Sequence, residues 1–584
     1  MFESLPGSAQ EALDWKWEQF APYYDELLAG EITPDNLADW LAQWSRLDNL
    51  VVEVSGRLRL AFDQDTTDER AENRYFDFIE NVLPPVKEKR QSLKKKLLRS
   101  EEALQQVDSL GMAMPLRKMR AEVELFREEN LRLSVELDKL TSRYQKIVGN
   151  QTVQWEGEEL TIPQLRPHLN NPQRAVREEV WRLAQERRLE DRAALNELWQ
   201  ELLPLRRQMA ENADCADFRE YKWKELHRFD YTPSDAQMFH EAIAEICVPA
   251  ATRIFERHRQ RLGLQALRPW DLSDGEHARP VNGPNEPLLR PYEDAEEFLN
   301  KSVAIFRKVD PHLGANYETM VREEMLDVEN RAGKAPGGYC TYFPTAKRPF
   351  IFMNAVGMHD DVQTMLHEAG HAFHAFATSE LPYRQQRFSP MEFNEVASMA
   401  MELLASPYLS GNGDDGAFYN AEDAARARLE HLEETILFWP YMAVVDAFQH
   451  WAYTHADEAM DPAACDAQWT ALWRRYLPGV DWSGLGDFVA SGWHRKLHIF
   501  EVPFYYVEYG MASLGAVQVW MNAQDDQEEA LARYRQALAL GGTAPLPELF
   551  ATAGARFAFD TQTVGEVIAF LEGEIETLEE SIRT

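Results

Sequence analysis

The chain has 584 residues, of which 45% are hydrophobic, enough to bury two or more domain cores and unlike a disordered protein. Its 61 Lys and Arg against 97 Asp and Glu leave a formal net charge of −36, which argues against nucleic acid or a membrane surface as a partner. Four widely spaced cysteines argue against a disulfide framework. The first residues show no signal-peptide pattern, and no apolar run approaches the roughly 20 residues that span a bilayer. We therefore expect a cytoplasmic protein.

The N-terminal part of the sequence shows helical periodicity. Residues 1–80 fit amphipathic helices. Apolar residues at heptad spacing then predict an antiparallel helical hairpin over about 88–148, in which Val107 belongs to the first run. A coiled coil that binds a partner is the alternative interpretation of this pattern. We predict an N-terminal helical region over 1–200 and a catalytic domain over 201–584.

The rest of the chain mixes strand and helix signals. Alternating apolar residues around Glu156–Gly157 predict a small β-hairpin. Pro and Gly mark a loop over 269–292, and two strands are predicted at 337–343 and 350–354. Helical patterns flank all of these segments, so the predicted fold class is mainly α with a small β-sheet.

His367-Glu368-Ala369-Gly370-His371 is an H-E-x-x-H motif in a segment that is predicted to be a largely buried helix. At about 100° per residue, His371 lies one turn from His367 and about 40° around the axis, so both imidazoles can reach one ion. Neutral imidazole suits Zn²⁺, whose catalytic sites use three protein ligands and keep one position open. Glu368 lies on the adjacent face, where it can accept a proton from water rather than bind the metal.

Two imidazoles require a third ligand. Glu395 lies in a predicted helix over 391–404 that is apolar enough to pack beside the first. Glu392 and Glu402 are alternatives by chemistry alone, and His374 is a further candidate. Spacing favours Glu395 but leaves these alternatives open.

The chain resembles the oligoendopeptidase F and thimet oligopeptidase family of zinc peptidases. HEAGHAFH at 367–374 and EFNEVAS at 392–398 resemble that family's two metal motifs, and the similarity includes RAGKAPGGYC at 331–340 and HIFEVPFYYVEY at 498–509. The resemblance implies that Glu395 is the third ligand of one Zn²⁺ per chain. It also implies a two-lobed helical body with a small sheet beside the zinc-binding helices. The deep channel expected in such a body admits only short, unfolded peptides.

The same resemblance indicates residues that contact the substrate. In the family, a histidine and tyrosines after the second motif contact the substrate carbonyl, and His498, Tyr506 and Tyr509 match that pattern. Tyr505 is adjacent to Tyr506, so the sequence leaves open by one position which of the two faces the substrate. Packing of aromatic side chains is the alternative interpretation of this cluster.

Two further segments are candidates for peptide binding. Phe350–Ala355 fits an edge strand that could pair with an extended peptide. Its candidate contact residues are Met353, Asn354 and Ala355. Gly337 and Gly338 would let the main chain approach a ligand closely, although a turn beside an ordinary core strand explains a glycine pair equally well.

Together these residues predict a zinc-dependent endopeptidase of short peptides. In this hypothesis Zn²⁺ lowers the pKa of a water molecule towards about 7, and Glu368 accepts the proton before passing it to the leaving amine. A helical zinc carboxypeptidase would use the same chemistry. A non-enzymatic helical binding protein with a structural zinc site is a further alternative, which the complete motif disfavours. The sequence gives neither the cleavage preference nor the oligomeric state.

Overall fold

A computed structural model describes residues 2–105, 108–283, 286–411 and 416–583 of the chain. Helices make up 71% of the structure and the strands form two small sheets, which confirms a mainly α fold. None of the helices in these ranges is long and apolar enough to cross a membrane. Val107, which was predicted to belong to a heptad run, lies outside the described residues.

The chain divides into two compact units, each assembled from three separate segments. Unit 1 comprises Met1–Glu124, Leu289–Ala424 and Gly515–Phe557. Unit 2 comprises Leu125–Leu288, Ala425–Leu514 and Ala558–Thr584. The domain boundary predicted after residue 200 falls inside the helix Arg192–Asn212. It coincides with none of the limits of the two units.

The helices of unit 1 come from all three of its segments. Its own α-helices are Trp17–Ala29, Leu37–Gln64, Glu69–Asn81, Leu83–Arg99, Glu101–Leu104, Ala295–Val309, Pro311–Arg322, His359–Thr378, Met391–Ala405, Gln527–Leu540 and Leu546–Ala553. Three helices contain a boundary between the units, namely Ala113–Leu125, Ala421–Thr454 and Tyr506–Asp525.

Unit 2 is likewise mainly helical. Its own α-helices are Glu128–Gly149, Arg166–Leu169, Arg174–Glu190, Arg192–Asn212, Phe218–Glu225, Pro233–Ala242, Val248–Arg261, Ala456–Ala459, Pro462–Tyr476, Gly486–Ala490, Leu497–Phe500 and Thr561–Arg583. The last turn before Val248–Arg261, Ile243–Cys247, is a π-helical segment.

Both runs of the predicted helical hairpin are helical, and Leu93 and Leu97 of the first share one hydrophobic core with Leu116 and Met119 of the second. The hairpin as a whole stays a prediction. Helix Leu83–Arg99 packs against Trp17–Ala29 and Glu69–Asn81 within unit 1. The second run breaks after Leu125, and its later part, Glu128–Gly149, packs against Arg192–Asn212 in unit 2. Heptad spacing reports that a helix buries one face, but it does not identify the neighbour that covers that face.

The smaller sheet is the predicted β-hairpin. Strands β1 (Thr152–Trp155) and β2 (Glu158–Thr161) pair antiparallel in unit 2. The two residues between them, Glu156 and Gly157, have φ values of 51° and 89°. Positive φ at both turn positions matches the right-handed twist of the strands and confirms the predicted turn.

The second sheet lies in unit 1 and has the strand order β3-β5-β4. The sheet consists of strands β3 (Leu326–Glu329), β4 (Tyr339–Phe343) and β5 (Arg348–Ala355). β5 pairs in parallel with β3 and antiparallel with β4. The edge-strand prediction for Phe350–Ala355 is therefore wrong, because this segment is the central strand and has a neighbour on each side.

Two helices of unit 1 carry the metal motifs, and we refer to them as the first motif helix (His359–Thr378) and the second motif helix (Met391–Ala405). They pack directly against each other, and the first also packs on strands β4 and β5. At Gly370 an added Cβ atom would lie 2.5 Å from the carbonyl oxygen of Ala397 and 2.6 Å from Cα of Ser398. No other residue allows the two backbones to come this close.

Gly370→Ala tests this contact. The methyl group would force the motif helices apart, so we expect the free energy of unfolding to fall by about 1–3 kcal/mol in urea titrations. Gly573→Ala is the matched control, since Gly573 is also helical but an added Cβ there meets no atom within 4 Å. Equal stability of the two variants would contradict the proposed role of Gly370.

Candidate metal centre

The start of the first motif helix is held by the side chain of Asp361. Its Oδ2 accepts the main-chain N–H groups of Val356 at 2.9 Å and Met358 at 2.8 Å, and Tyr292 donates its hydroxyl to the same oxygen. The helix begins at His359, so Asp361 lies in its first turn. These bonds fix the direction in which the helix presents its two motif histidines.

His367, His371 and Glu395 converge as the sequence predicts. The two imidazole rings lie 4.9 Å apart and nearly perpendicular, at 86°. Oε2 of Glu395 lies 3.4 Å from Nε2 of His367 and 3.8 Å from Nε2 of His371. One ligand atom from each residue falls within 4.8 Å of the other two, so all three could bind the same ion.

Glu402 occupies a different position from that of a ligand. It lies two turns beyond Glu395 on the second motif helix, and its Oε1 is 2.6 Å from Nδ1 of His367. A histidine that binds a metal through one nitrogen commonly holds a carboxylate with the other, which fixes its tautomer and orientation. Spacing left Glu402 open as a rival ligand, and the geometry instead places it behind His367.

The protonation preferences of the group favour a cation. Burial lowers the pKa of His367, but hydrogen bonds to Glu395 and Glu402 raise it well above its usual value. Burial raises the pKa of Glu395, but its bond with His367 brings it below its usual value. Burial, reinforced by the charge of His367, lowers the pKa of His371 to about 4. The group thus holds an ionised carboxylate and a neutral imidazole, and it stabilises positive charge at its centre.

Glu368 is buried next to this group without belonging to it. Its side chain is 8% exposed, and burial raises the pKa of its carboxyl to about 7. The charge of His367 lowers this pKa and the charge of Glu395 raises it. Glu368 is therefore a carboxyl group that exchanges a proton near neutral pH, a property of general bases.

The two remaining candidates for the third ligand do not join the group. Nε2 of His374 lies 3.0 Å from the hydroxyl of Ser389, and burial lowers the pKa of this histidine to about 3. Glu392 is buried on the second motif helix. Within the described ranges, neither contributes an atom to the cluster formed by the two histidines of the motif and Glu395.

The strand residues proposed for peptide binding serve mainly to build the sheet. Met353 is 2% exposed, so its side chain is not available to a ligand, and its carbonyl accepts a bond from Lys334. The amide of Asn354 donates to the carbonyl oxygens of Ala335 and Gly337 at 2.9 Å each. Asn354 is half-buried, and its Oδ1 has no hydrogen-bond partner among the described residues. The contacts of Met353 and Asn354 with a peptide stay predictions.

The remaining residues of that group have distinct environments. Ala355 lies at the end of β5 opposite Glu329 of β3. Gly337 has φ of +97°, and an added Cβ atom there meets no atom within 4 Å, whereas Gly338 packs beside Met353 and Thr364. The glycine pair therefore turns the chain into β4, and open space lies next to Gly337.

His498, Tyr505, Tyr506 and Tyr509 form one aromatic cluster within unit 2. The ring of His498 lies 4.7 Å from that of Tyr506, 6.1 Å from that of Tyr505 and 6.3 Å from that of Tyr509. Tyr505 and Tyr509 are half-buried, whereas Tyr506 is 6% exposed. The structure thus brings together the four residues that the family resemblance selects.

The histidine of this cluster is held neutral. Burial, together with the charge of Lys496, lowers the pKa of His498 to about 3. Its Nδ1 is buried and has no hydrogen-bond partner among the described residues. Buried polar atoms are normally paired, so this nitrogen is available for a hydrogen bond with water or with a ligand.

The arrangement of these tyrosines depends on a strained residue. Phe504 has φ of +67°, which is rare for a bulky side chain and costs about 1–3 kcal/mol. Its N–H donates to Oε1 of Gln449 at 2.7 Å, and Arg228 donates to its carbonyl oxygen and, at 2.7 Å, to Glu508. Sequence analysis did not find Gln449 or Arg228, because neither lies near a motif.

The residues at the metal centre fit a zinc ion. Two imidazole nitrogens and one carboxylate oxygen converge, as in catalytic zinc sites with an open position. Glu402 supplies the carboxylate partner that a metal-binding histidine ordinarily has.

Comparison with known proteins gives the family. The model of Peptidase family M3 matches residues 168–566. The chain is 25% identical over 260 residues to Oligopeptidase PepF of Bacillus subtilis (strain 168), which covers 43% of this chain and 36% of that protein. It is 22% identical over 259 residues to the oligoendopeptidase F homolog of Borreliella burgdorferi, covering 43% and 41%. These alignments span about two fifths of the length of the curated relatives.

Solved structures share the fold over nearly the whole chain. PZ peptidase A with inhibitor 2 superposes with a TM-score of 0.83 at 26% identity, and the match covers 99% of each chain. A structure assigned as an oligoendopeptidase F superposes with a TM-score of 0.85 at 26% identity, and the match covers 98% of each chain. Because the family model matches well over half of the sequence, the chain belongs to Peptidase family M3.

Proposed function

We propose that the chain is a zinc-dependent endopeptidase that hydrolyses internal bonds of short, unfolded peptides. The observation that carries the proposal is the convergence of His367, His371 and Glu395 beside the buried carboxyl of Glu368. Membership of a peptidase family supports peptide hydrolysis as the reaction class. The names of the similar proteins, an oligopeptidase and oligoendopeptidases, support short peptides as substrates.

One Zn²⁺ per chain would be held by Nε2 of His367, Nε2 of His371 and a carboxylate oxygen of Glu395. When bound, the ion supplies a Lewis acid that polarises the scissile carbonyl and makes a water molecule more acidic. Glu402 keeps His367 in the tautomer whose Nε2 is free to bind, because it engages Nδ1.

Glu368 performs the proton transfer. Its carboxylate takes a proton from the attacking water and then gives it to the nitrogen of the leaving amine. Burial suits Glu368 to this role, because it brings the proton affinity of the carboxylate closer to neutral pH. Nearby Gly337, where the main chain is open, remains a candidate for close approach to a peptide, together with Gly338 and Ala355.

Residues of the aromatic cluster are proposed as donors to the substrate. We assign hydrogen bonds to the substrate carbonyl to His498, Tyr506 and Tyr509, with Tyr505 as a further contact. We propose neither nucleic acid nor a membrane as a partner, because the net charge of −36 disfavours binding to other anionic surfaces. A cytoplasmic location stays a prediction.

Glu368→Ala tests the proton-transfer step. We expect it to retain zinc by elemental analysis but to lose cleavage of an internally quenched peptide that is blocked at both ends. Glu380→Ala, at an exposed position just past the end of the same helix, is the control and should keep both. Full activity of Glu368→Ala would overturn the role assigned to this residue. Failure of the wild-type protein to cut blocked peptides, with cleavage of unblocked ones, would favour a carboxypeptidase.

Alanine substitutions on the second motif helix test the ligand set. Glu395→Ala removes a ligand and should release zinc most readily during dialysis. Glu402→Ala removes only the partner of His367, so we expect its zinc affinity to fall by about 10–100-fold. Glu392→Ala should retain more zinc than either. The assignment fails if Glu392→Ala or Glu402→Ala loses zinc more readily than Glu395→Ala.

Removal of single hydroxyl groups tests the aromatic cluster. Tyr506→Phe and Tyr509→Phe keep the ring packing and remove one donor each, so kcat should fall by about 100-fold or more with little change in KM. Tyr505→Phe should act mainly on KM. Steady-state kinetics separate these cases, and a kcat defect in Tyr505→Phe with a normal Tyr506→Phe would move the assignment by one position.

A further inference from the structure

A lysine of unit 2 lies beside the aromatic cluster with no counter-ion. Nζ of Lys496 lies 3.9 Å from the centre of the Tyr506 ring and 4.9 Å from that of the Tyr441 ring. Within the described part of the chain, no carboxylate lies within 4.0 Å of this ammonium and it makes no hydrogen bond. Its charge also acts on His498, two residues further along the chain.

A second cation in the same region is also unpaired. The side chain of Arg188 makes neither an ion pair nor a hydrogen bond with any residue that the structure describes. Burial, together with the charge of Arg495, lowers the pKa of its guanidinium to about 10. Arg188 and Lys496 both interact electrostatically with Asp274 and Glu276, so they lie around the same centre.

The two carboxylates of this region are already engaged by other groups. Glu276 forms an ion pair with Nε of Arg495. Oδ1 of Asp274 accepts main-chain N–H groups at 2.8–3.0 Å, and its Oδ2 lies 2.9 Å from Nδ1 of His277. Three cations, Arg188, Arg495 and Lys496, therefore share two carboxylates. This is a local excess of positive charge in a chain whose net charge is −36.

Lys496 and Arg188 are half-buried, and a partly desolvated cation is costly unless an opposite charge reaches it. Contact with two tyrosine faces offsets only part of this cost, typically about 0.5–2 kcal/mol. A carboxylate suits these two cations, because a guanidinium binds it through two parallel N–H groups and an ammonium binds it as a point charge. Peptides carry such groups at their C-terminus and on acidic side chains.

We propose that Arg188, Arg495 and Lys496 form a binding site for a carboxylate of the peptide substrate, next to the His498 cluster. The inference rests on the proposed function for the identity of the ligand as a peptide. Lys496 is a specificity residue in this proposal, since it contacts the substrate's charge, and Arg188 acts with it. The rings of Tyr441 and Tyr506 fix the direction of the ammonium.

The test uses N-acetylated, fluorescently labelled peptides and the Glu368→Gln variant, so that binding is measured without turnover. One peptide ends in a free carboxylate, the second is its C-terminal amide, and the third is the amide with one internal Asp. We expect one of the two carboxylate peptides to bind about tenfold more tightly than the uncharged amide, which is about 1.4 kcal/mol. The free acid and the internal Asp distinguish the two sources of the charge.

Lys496→Met, introduced into the same background, should abolish this preference while leaving the affinity for the uncharged amide unchanged. Lys139→Met is the matched control, because Lys139 is an exposed lysine of the same unit that forms an ion pair with Glu136. If thermal unfolding shows that Lys496→Met does not fold, Arg188→Gln carries the test and should reduce the preference.

The outcomes separate this inference from the proposed function. Equal affinity of the wild-type background for all three peptides overturns the carboxylate site, and so does a preference that survives both substitutions. If Lys496→Met binds all three peptides more weakly by the same factor, the carboxylate site is also overturned. That result indicates that Lys496 only positions Tyr506. Cleavage of the blocked peptide by the wild-type protein is scored separately, so either proposal can fail while the other stands.

Discussion

The metal centre depends on one close main-chain contact between two helices. Gly370 allows the first motif helix to lie against Ala397 and Ser398 of the second, at a separation that any Cβ atom would prevent. At this distance two glutamates of the second helix, Glu395 and Glu402, reach the same imidazole from its two nitrogens. The glycine within the H-E-x-x-H motif is thus as much a part of the site as the histidines, although it touches no ligand.

Much of this centre could be predicted from the sequence, because helix geometry makes it local. His367 and His371 are four residues apart, so their convergence follows from the helical repeat alone. Glu395 could not be separated from Glu402 in that way, since both lie on one face of a helix whose distance and rotation relative to the first are set by packing. Spacing favours Glu395 without excluding Glu402, the family resemblance selects it, and the structure shows what each carboxylate contacts.

The errors in the fold have a common physical origin. Phe350–Ala355 was predicted as an edge strand, but its first four side chains are buried and the strand has neighbours on both sides. An uninterrupted apolar run is typical of a central strand. The partner that was missed, β3, is only four residues long and pairs in parallel, so it leaves little trace in the sequence. The helical hairpin shows the same limit, because periodicity reports burial and not the covering element: it predicted both helical runs, but not that Glu128–Gly149 packs against Arg192–Asn212.

The left-handed backbone of Phe504 has a consequence for how this protein tolerates change. Hydrogen bonds with Gln449 and Arg228 stabilise the positive φ of Phe504. This backbone conformation sets the positions of the tyrosines that follow it in the chain. A substitution at Gln449 would thus resemble an ordinary loss of packing. Its main effect, however, would be on the orientation of the tyrosine hydroxyl groups that follow Phe504. Side chains remote in sequence from any recognisable motif can in this way set the orientation of the hydroxyl groups in the His498 cluster.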